Sequence, residues 1–196
     1  MSRLRAAFKR FAYSGLRRDR WQQPNQVVEV LDLGTGDRVA DVGAGGGYFT
    51  FRVARAVGTS GTVYAVDTDD DLLAWLFDEA SAEGLPNIVP IRAQPDEARL
   101  PEPVDLILLA NVYHHLPDQP SYLKRLAQHL LPGGRVAVLE SRPQGLHRVF
   151  GHATAEGHIR DDFDAAGYEL VAKHDFLAHQ SFQIFARRNP TNSKLG

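Results

Sequence analysis

The 196 residues predict an α/β protein built on a doubly wound, mostly parallel, seven-stranded sheet. Three observations carry that prediction. Short β-branched runs alternate with stretches of helical period from Arg38 almost to the end of the chain. The run VDLILLA at Val104–Ala110 is apolar nearly throughout, the pattern of a strand covered on both faces. A glycine-rich turn, Gly43-Ala44-Gly45-Gly46-Gly47, stands between the first strand and the first helix of the alternation. In such sheets ligands bind beyond the carboxyl ends of the strands, near the switch in strand order.

In chain order, Leu4, Ala7, Phe8, Phe11 and Ala12 recur at spacings of three and four and predict an amphipathic helix with arginines on its other face. A second helix is predicted over Pro24–Leu33, with proline in its first turn. Strands follow at Arg38–Val42, Thr62–Val66 (closed by Asp67), Ile88–Ile91, Val104–Ala110 and Arg135–Glu140. Helices are predicted over Tyr48–Val57, Asp70–Glu83, Ser121–Leu131 and Thr154–Ala166. Pro132-Gly133-Gly134 closes the third of these and Gly167 the fourth. Tyr168–Phe176 and Ser181–Arg187 read as two closing strands joined by a short turn, hence antiparallel. These limits divide the chain into a basic arm (1–23), one domain (24–188) and a polar tail (189–196).

Composition narrows the chemistry. With no cysteine, a disulfide scaffold, a thiolate metal site and a cysteine nucleophile are all excluded. No apolar run spans a bilayer and no apolar segment follows the basic start, so a cytoplasmic protein is expected. The net charge of −2 hides an asymmetry. Residues 1–20 carry seven Arg/Lys and one Asp, a charge of +6, and the rest carries 15 basic and 23 acidic residues, a charge of −8. The acidic body disfavours nucleic acid as a partner. The arm has three readings: a plain surface helix, a weak contact of residues 3–20 with an anionic membrane, or an RNA contact.

The glycine turn has the form D-x-G-x-G-x-G, counting from Asp41. Its glycines let a ligand approach the backbone, and the helix that follows offers unpaired N–H groups. A dinucleotide fingerprint would need glycine where Tyr48 stands, and Asp41 would repel a pyrophosphate. Both features argue against a nicotinamide-dependent oxidoreductase. Asp67, 20 residues past Gly47, is placed to accept both hydroxyls of an unphosphorylated ribose.

Taken in order, VADVGAGGG, VYAVD, DEARLP, VDLILLANVYHHL and LLPGGRVAVLE resemble the class I S-adenosylmethionine-dependent methyltransferases. The resemblance runs from about Val27 to Arg187, and the N-x-x-H-H-L run is similar to the ubiquinone/menaquinone-methyltransferase-like subgroup. It implies a Rossmann-like methyltransferase fold, S-adenosyl-L-methionine as cofactor, and methyl transfer to a small-molecule or lipophilic acceptor. It also implies roles for single residues. Asp41, Gly43, Ala44, Gly45 and Gly47 would hold the methionine half, Asp67 the ribose and Thr68 the adenine edge. Asp96, with Glu97 beside it, would accept the adenine amino group, and Asn111 would face the sulfonium.

Methyl transfer is an in-line displacement on an already activated carbon, so positioning dominates. A base is needed only where the acceptor holds its proton tightly. His114, His115, Glu140 and Tyr48 are the candidates near the methyl group. The loop Ser141–Gly151, with Arg142, His147 and Arg148, is the expected acceptor loop, and Trp21 a candidate lid residue. No histidine spacing suggests a metal site. A binding protein without transferase activity and an RNA methyltransferase are the alternatives.

Overall fold

The computed structural model describes residues 18–143 and 153–188. Their seven strands form one sheet in the order β3-β2-β1-β4-β5-β7-β6. The strands are β1 (Arg38–Val42), β2 (Thr62–Asp67), β3 (Ile88–Arg92), β4 (Val104–Ala110), β5 (Leu130–Ser141), β6 (Tyr168–His174) and β7 (Gln180–Arg187). All pairs from β3 to β5 are parallel, and β7 runs antiparallel to both neighbours, as the short final turn requires. The helices are α1 (Arg18–Gln22), α2 (Pro24–Val30), α3 (Thr50–Val57), α4 (Asp70–Ala82), α5 (Gln119–Leu126) and α6 (Glu156–Ala165).

Alternation along the central strands divides the core into two faces. Val39, Val63, Leu106, Leu108 and Leu139 pack on one face with Val53, Val57 and Leu76 of α3 and α4. Ala40, Val66, Ile107, Leu109 and Val138 pack on the other, with Leu123, Leu126, Ile159 and Phe163 of α5 and α6. Leu106–Leu109 are wholly buried, which is why this segment has no polar alternation. Phe163 and Phe185 stack at 3.8 Å between centroids and tie α6 to the antiparallel edge.

The chain starts at β1, moves outward to β3, then returns to place β4 on the other side of β1. Strand order therefore reverses between β1 and β4, and the two segments that leave these strands, Gly43–Gly47 and Asn111–His115, face each other across a crevice. Asp69 fixes where α4 begins, its carboxylate accepting the N–H groups of Asp71 and Leu72.

The observed elements depart from the sequence reading most clearly around the start of β5 and at the start of α3. The predicted helix over Ser121–Leu131 stops at Leu126, and Leu130–Gly134 belongs to β5. Leu130 pairs with Val104, and the register then shifts before Arg135 pairs with Leu106, so the Pro-Gly-Gly segment is an irregularity inside the strand and not a helix stop. The helix predicted from Tyr48 begins at Thr50, because the glycine turn continues through Phe49. Most of the arm, His147 and Arg148 of the acceptor loop, and the tail lie outside the described residues, whereas Arg142 of that loop is described.

Candidate active site

A cleft of about 1500 Å³ opens at the reversal between β1 and β4. Its floor is the glycine turn. Gly43 and Ala44 both donate to the Val66 carbonyl, at 2.8 and 3.0 Å, which ties the turn to the end of β2. Gly43, Gly45 and Gly47 all have positive φ, at 78°, 54° and 73°. Their surroundings differ. A Cβ on Gly43 would lie 2.4 Å from Val112, and one on Gly47 would lie 2.5 Å from Phe51. A Cβ on Gly45 would meet nothing closer than the Gly43 carbonyl oxygen at 4.0 Å. Two glycines thus make room for the protein itself, and Gly45 leaves a cradle open on the cleft.

Acids stand at both ends of this turn. Asp41 is buried, and its carboxylate accepts the Thr50 hydroxyl at 2.6 Å. Burial pushes its carboxyl up from 3.8 to about 6; the Thr50 hydrogen bond and the Arg18 charge pull against that, and Asp67 adds to it. Asp67 accepts the Gly45 N–H at 2.8 Å on one oxygen and the Asp69 N–H at 3.0 Å on the other. A carboxylate has about four lone-pair sites, so two acceptor directions remain for a diol. Thr68 lines the cleft beside it.

The opposite wall follows β4. Asn111 adopts the left-handed conformation (φ 57°), donates its N–H to Leu139 at 2.7 Å, and accepts the side-chain amide of the fully buried Gln180. The next residues form a 3-10 turn, Tyr113–His115. Tyr113 anchors this turn from below, donating its hydroxyl to Asp162 of α6 at 2.7 Å. His114 is held at the cleft wall by Glu140, whose carboxylate oxygens both lie 3.0 Å from Nδ1 and which also accepts the His114 main-chain N–H at 3.3 Å. Glu140 has no exposed surface and stands behind His114, so it orients the ring and does not itself line the cleft. His115 lies beside His114 at 4.0 Å between ring centroids, and both residues line the cleft.

The remaining wall comes from α1. Trp21 and Arg18 both line the cleft. Tyr48 contributes its ring but commits its hydroxyl to Asp19 at 2.5 Å. Burial, then that hydrogen bond, push the Tyr48 phenol above its ordinary value, which suits a structural link and not a proton acceptor.

The cleft does not gather Asp96 and Glu97. Gln94 and Glu97 exchange main-chain hydrogen bonds at 2.9 and 3.2 Å, a tight reversal that carries both acids away. They line a separate crevice, where the Asp96 carbonyl accepts Nε of Arg125 at 3.0 Å. Gln94 and Pro95 stand on the cleft in their place. Three cleft-related residues had no sequence signal of their own. Arg18 was one cation among seven in the arm, Gln94 fell outside the expected acid pattern, and Gln180 reaches Asn111 across 69 residues of chain.

The sequence profile of a family described as a methyltransferase domain matches residues 4–188. A ubiquinone/menaquinone biosynthesis C-methyltransferase from Teredinibacter turnerae is 36% identical over 122 residues, covering 60% of this chain and 49% of that protein. The chain spans about half the length of the curated relatives it matches. Among solved structures, a SAM-dependent methyltransferase from Aquifex aeolicus superposes with a TM-score of 0.77 at 22% identity, covering 87% of this chain and 93% of the other. An O-methyltransferase of neocarzinostatin biosynthesis, solved with S-adenosyl-L-homocysteine and 1,4-dihydroxy-2-naphthoic acid, gives 0.73 at 16% identity, covering 88% and 55%. Among the described residues, no helix is long and apolar enough to cross a membrane, and no three His, Asp or Glu side chains gather to hold a metal. The extent of the family match makes this chain a member of the class I S-adenosylmethionine-dependent methyltransferases.

Proposed function

We propose that this domain methylates a small molecule whose nucleophile must lose a proton, such as a phenol, an enol or an activated ring carbon, and that His114 takes that proton. The observation that carries this reading is the clasp of Glu140 on Nδ1 of His114. A fully buried carboxylate on Nδ1 makes that nitrogen the N–H donor and leaves Nε2 as the basic nitrogen. It also sets a negative charge against the imidazolium that forms when the ring accepts a proton. An amine or thiolate acceptor would give such a device little to do. His115 and Trp21 also line the cleft, and their rings suit a flat acceptor.

The bound cofactor supplies a methyl group on a positively charged sulfur. The chain's share is to hold and orient it. Gly45, with Gly43, Ala44 and Gly47 around it, offers the cradle, and Asp41 offers negative charge to an ammonium group. Asp67 offers acceptors to the ribose diol, with Thr68 beside it. Asn111 bounds the reacting end. Gln94 takes over the adenine edge that the sequence reading assigned to Asp96 and Glu97, since an amide side chain can donate to and accept from adenine together. Two relatives support the acceptor class: the neocarzinostatin-pathway enzyme was solved with a dihydroxynaphthoic acid, and the Teredinibacter relative is named as a C-methyltransferase.

The test is a transfer assay with labelled S-adenosylmethionine over phenols, quinols, amines, thiols and phospholipids. Turnover of phenols or quinols that falls in His114→Asn, with S-adenosylhomocysteine affinity retained, is the expected result. Turnover confined to thiols or amines and indifferent to His114 would overturn the reading.

A further inference from the structure

We propose that Gln180 is a positioning residue: it turns the side-chain amide of Asn111 so that the NH2 group, and not the carbonyl oxygen, faces the cleft, as a donor to the oxygen of an acceptor that has lost its proton. The assignment rests on the phenol or enol acceptor proposed above. It moves Asn111 from the sulfonium, where the resemblance put it, to the acceptor.

Gln180 opens β7 and pairs with Ser141 at the end of β5, so it reaches the cleft from the antiparallel part of the sheet. Its main chain is held by Arg142: the Gln180 carbonyl accepts Nε at 3.0 Å, and the Arg142 N–H donates to the His179 carbonyl at 3.0 Å. Gln180 has no exposed surface, and its Nε2 donates to Oδ1 of Asn111. Asn111 is fixed at its own main chain by the bond to Leu139. With Oδ1 turned inward, Nδ2 has no protein partner among the described residues and is not enclosed, and it opens on the cleft that Asn111 lines.

The direction of the amide pair follows from what each choice leaves unmet. As the pair stands, the buried atom of Gln180 without a partner is Oε1. Turning both amides over would put an NH2 group, with its two donors, in that position. A stranded buried donor is the costlier loss.

Charge separates two halves of the cleft. Among the described residues, every carboxylate that lines it lies between the start of β1 and the start of β3: Asp41, Asp67, Asp69, Glu79 and Glu83. From β4 onward the lining has none, since Glu140 stands behind His114. An N–H presents positive charge and so opposes a positive sulfur. An oxygen that has given its proton to His114 is its complement: negative charge develops where no carboxylate opposes it and a donor is already aimed. An asparagine free to rotate would offer either end of its amide, and Gln180 removes that choice before the acceptor binds.

The experiment titrates bound 4-nitrophenol, whose phenolate is coloured, on the full chain saturated with S-adenosylhomocysteine. In wild type we expect the bound phenol to ionise at lower pH than in free solution. Asn111→Gly suits the left-handed backbone and removes the amide. It should raise the pH of that ionisation by about 1–2 units and cut the turnover of phenols roughly 10- to 100-fold, the worth of a hydrogen bond to a charged oxygen. Gln180→Met should move both in the same direction by less, about 3- to 10-fold in turnover. In the Asn111→Gly background Gln180→Met should change neither further, because the amide it positions is gone. Thermal unfolding of each variant checks that the fold is kept. An ionisation unmoved by either variant, or an effect of Gln180→Met that persists in Asn111→Gly protein, would overturn the role. So would an Asn111→Gly protein that loses affinity for S-adenosylmethionine and keeps it for S-adenosylhomocysteine, which would return Asn111 to the sulfonium. Wild-type protein that methylates only amines or thiols would overturn the acceptor reading itself, and this role with it.

Discussion

Both carboxylate oxygens of Glu140 stand 3.0 Å from Nδ1 of His114, although the two residues belong to different elements, the end of β5 and the turn after β4. The parallel pairing of β4 with β5 brings them together: Ala110 pairs with Leu139, so Glu140 reaches the level of the turn that begins at Asn111. We expect His114→Ala to lower the turnover of a hydroxyl acceptor by about 10²- to 10⁴-fold, the usual worth of a general base. Glu140→Gln keeps the shape and loses the charge and the tautomer control, and should cost up to about 10⁴-fold. Both variants should regain rate at high pH, as the acceptor ionises unaided, while affinity for S-adenosylhomocysteine stays constant. Loss of cofactor affinity in step with turnover would reduce the pair to a structural support.

The three positive-φ glycines separate folding from binding. Gly43→Ala and Gly47→Ala place a Cβ 2.4 Å from Val112 and 2.5 Å from Phe51, on top of the backbone strain. Each should destabilise the protein by about 2–4 kcal/mol, combining overpacking with a left-handed backbone. Gly45→Ala meets open space, so it carries only the strain of roughly 1–2 kcal/mol, but its methyl group fills the cradle. Denaturant melts and ligand titrations should therefore rank the variants in opposite orders. A Gly45→Ala protein that binds S-adenosylhomocysteine like wild type would show that the cradle is not the site.

What was legible in the chain was local. The apolar run at Val104–Ala110 and the spacing from Gly43 to Asp67 carry their meaning within one or two elements, and the observed strands agree with them. The start of β5 was not legible, because Pro132-Gly133-Gly134 is an ordinary helix stop until Val104 is there to pair with Leu130. Gln180 could not be read either: its partner Asn111 is joined to it only by the antiparallel insertion of β7. Arg18 was hidden by its company, since nothing in a row of arginines marks the one that turns toward a cleft. Asp96 was misplaced for a different reason. Spacing to Leu100-Pro101 says nothing of the tight reversal between Gln94 and Glu97 that carries the acids away.

Asp41 gives the stability of the protein a pH signature. Its carboxyl is raised from 3.8 to about 6, chiefly by burial. A folded value above the unfolded one means that the neutral acid is the form the fold favours. That contribution is complete below about pH 4 and is lost as pH rises through about 6, leaving a cost on the order of 3 kcal/mol at pH 8 by the conversion of 1.36 kcal/mol per unit. Asp41→Asn, which keeps a partner for the Thr50 hydroxyl, should raise the melting temperature at pH 8 and change it little at pH 4. The same variant should bind S-adenosylhomocysteine more weakly, having lost the charge that meets the ammonium. A melting difference that is flat across pH 4–8 would show that Asp41 is not the group responsible.

Gln94 and Asp96 make a matched pair for testing the adenine edge. They are two residues apart, and only Gln94 lines the cleft; Asp96 faces Arg125. Gln94→Ala should weaken S-adenosylhomocysteine and 5′-methylthioadenosine alike by about 1 kcal/mol, since both carry adenine and a neutral hydrogen-bonding pair is worth that much. Asp96→Ala should leave both unchanged, because its side chain lies outside the cleft and the bond to Arg125 uses its main-chain carbonyl. Inosine-containing analogues sharpen the contrast: exchanging the adenine amino group for a carbonyl should cost wild-type protein more than it costs Gln94→Ala, and cost Asp96→Ala as much as wild type. If Asp96→Ala instead weakens adenine ligands while Gln94→Ala does not, the reversal between Gln94 and Glu97 must open on binding to bring the acid back to the cleft.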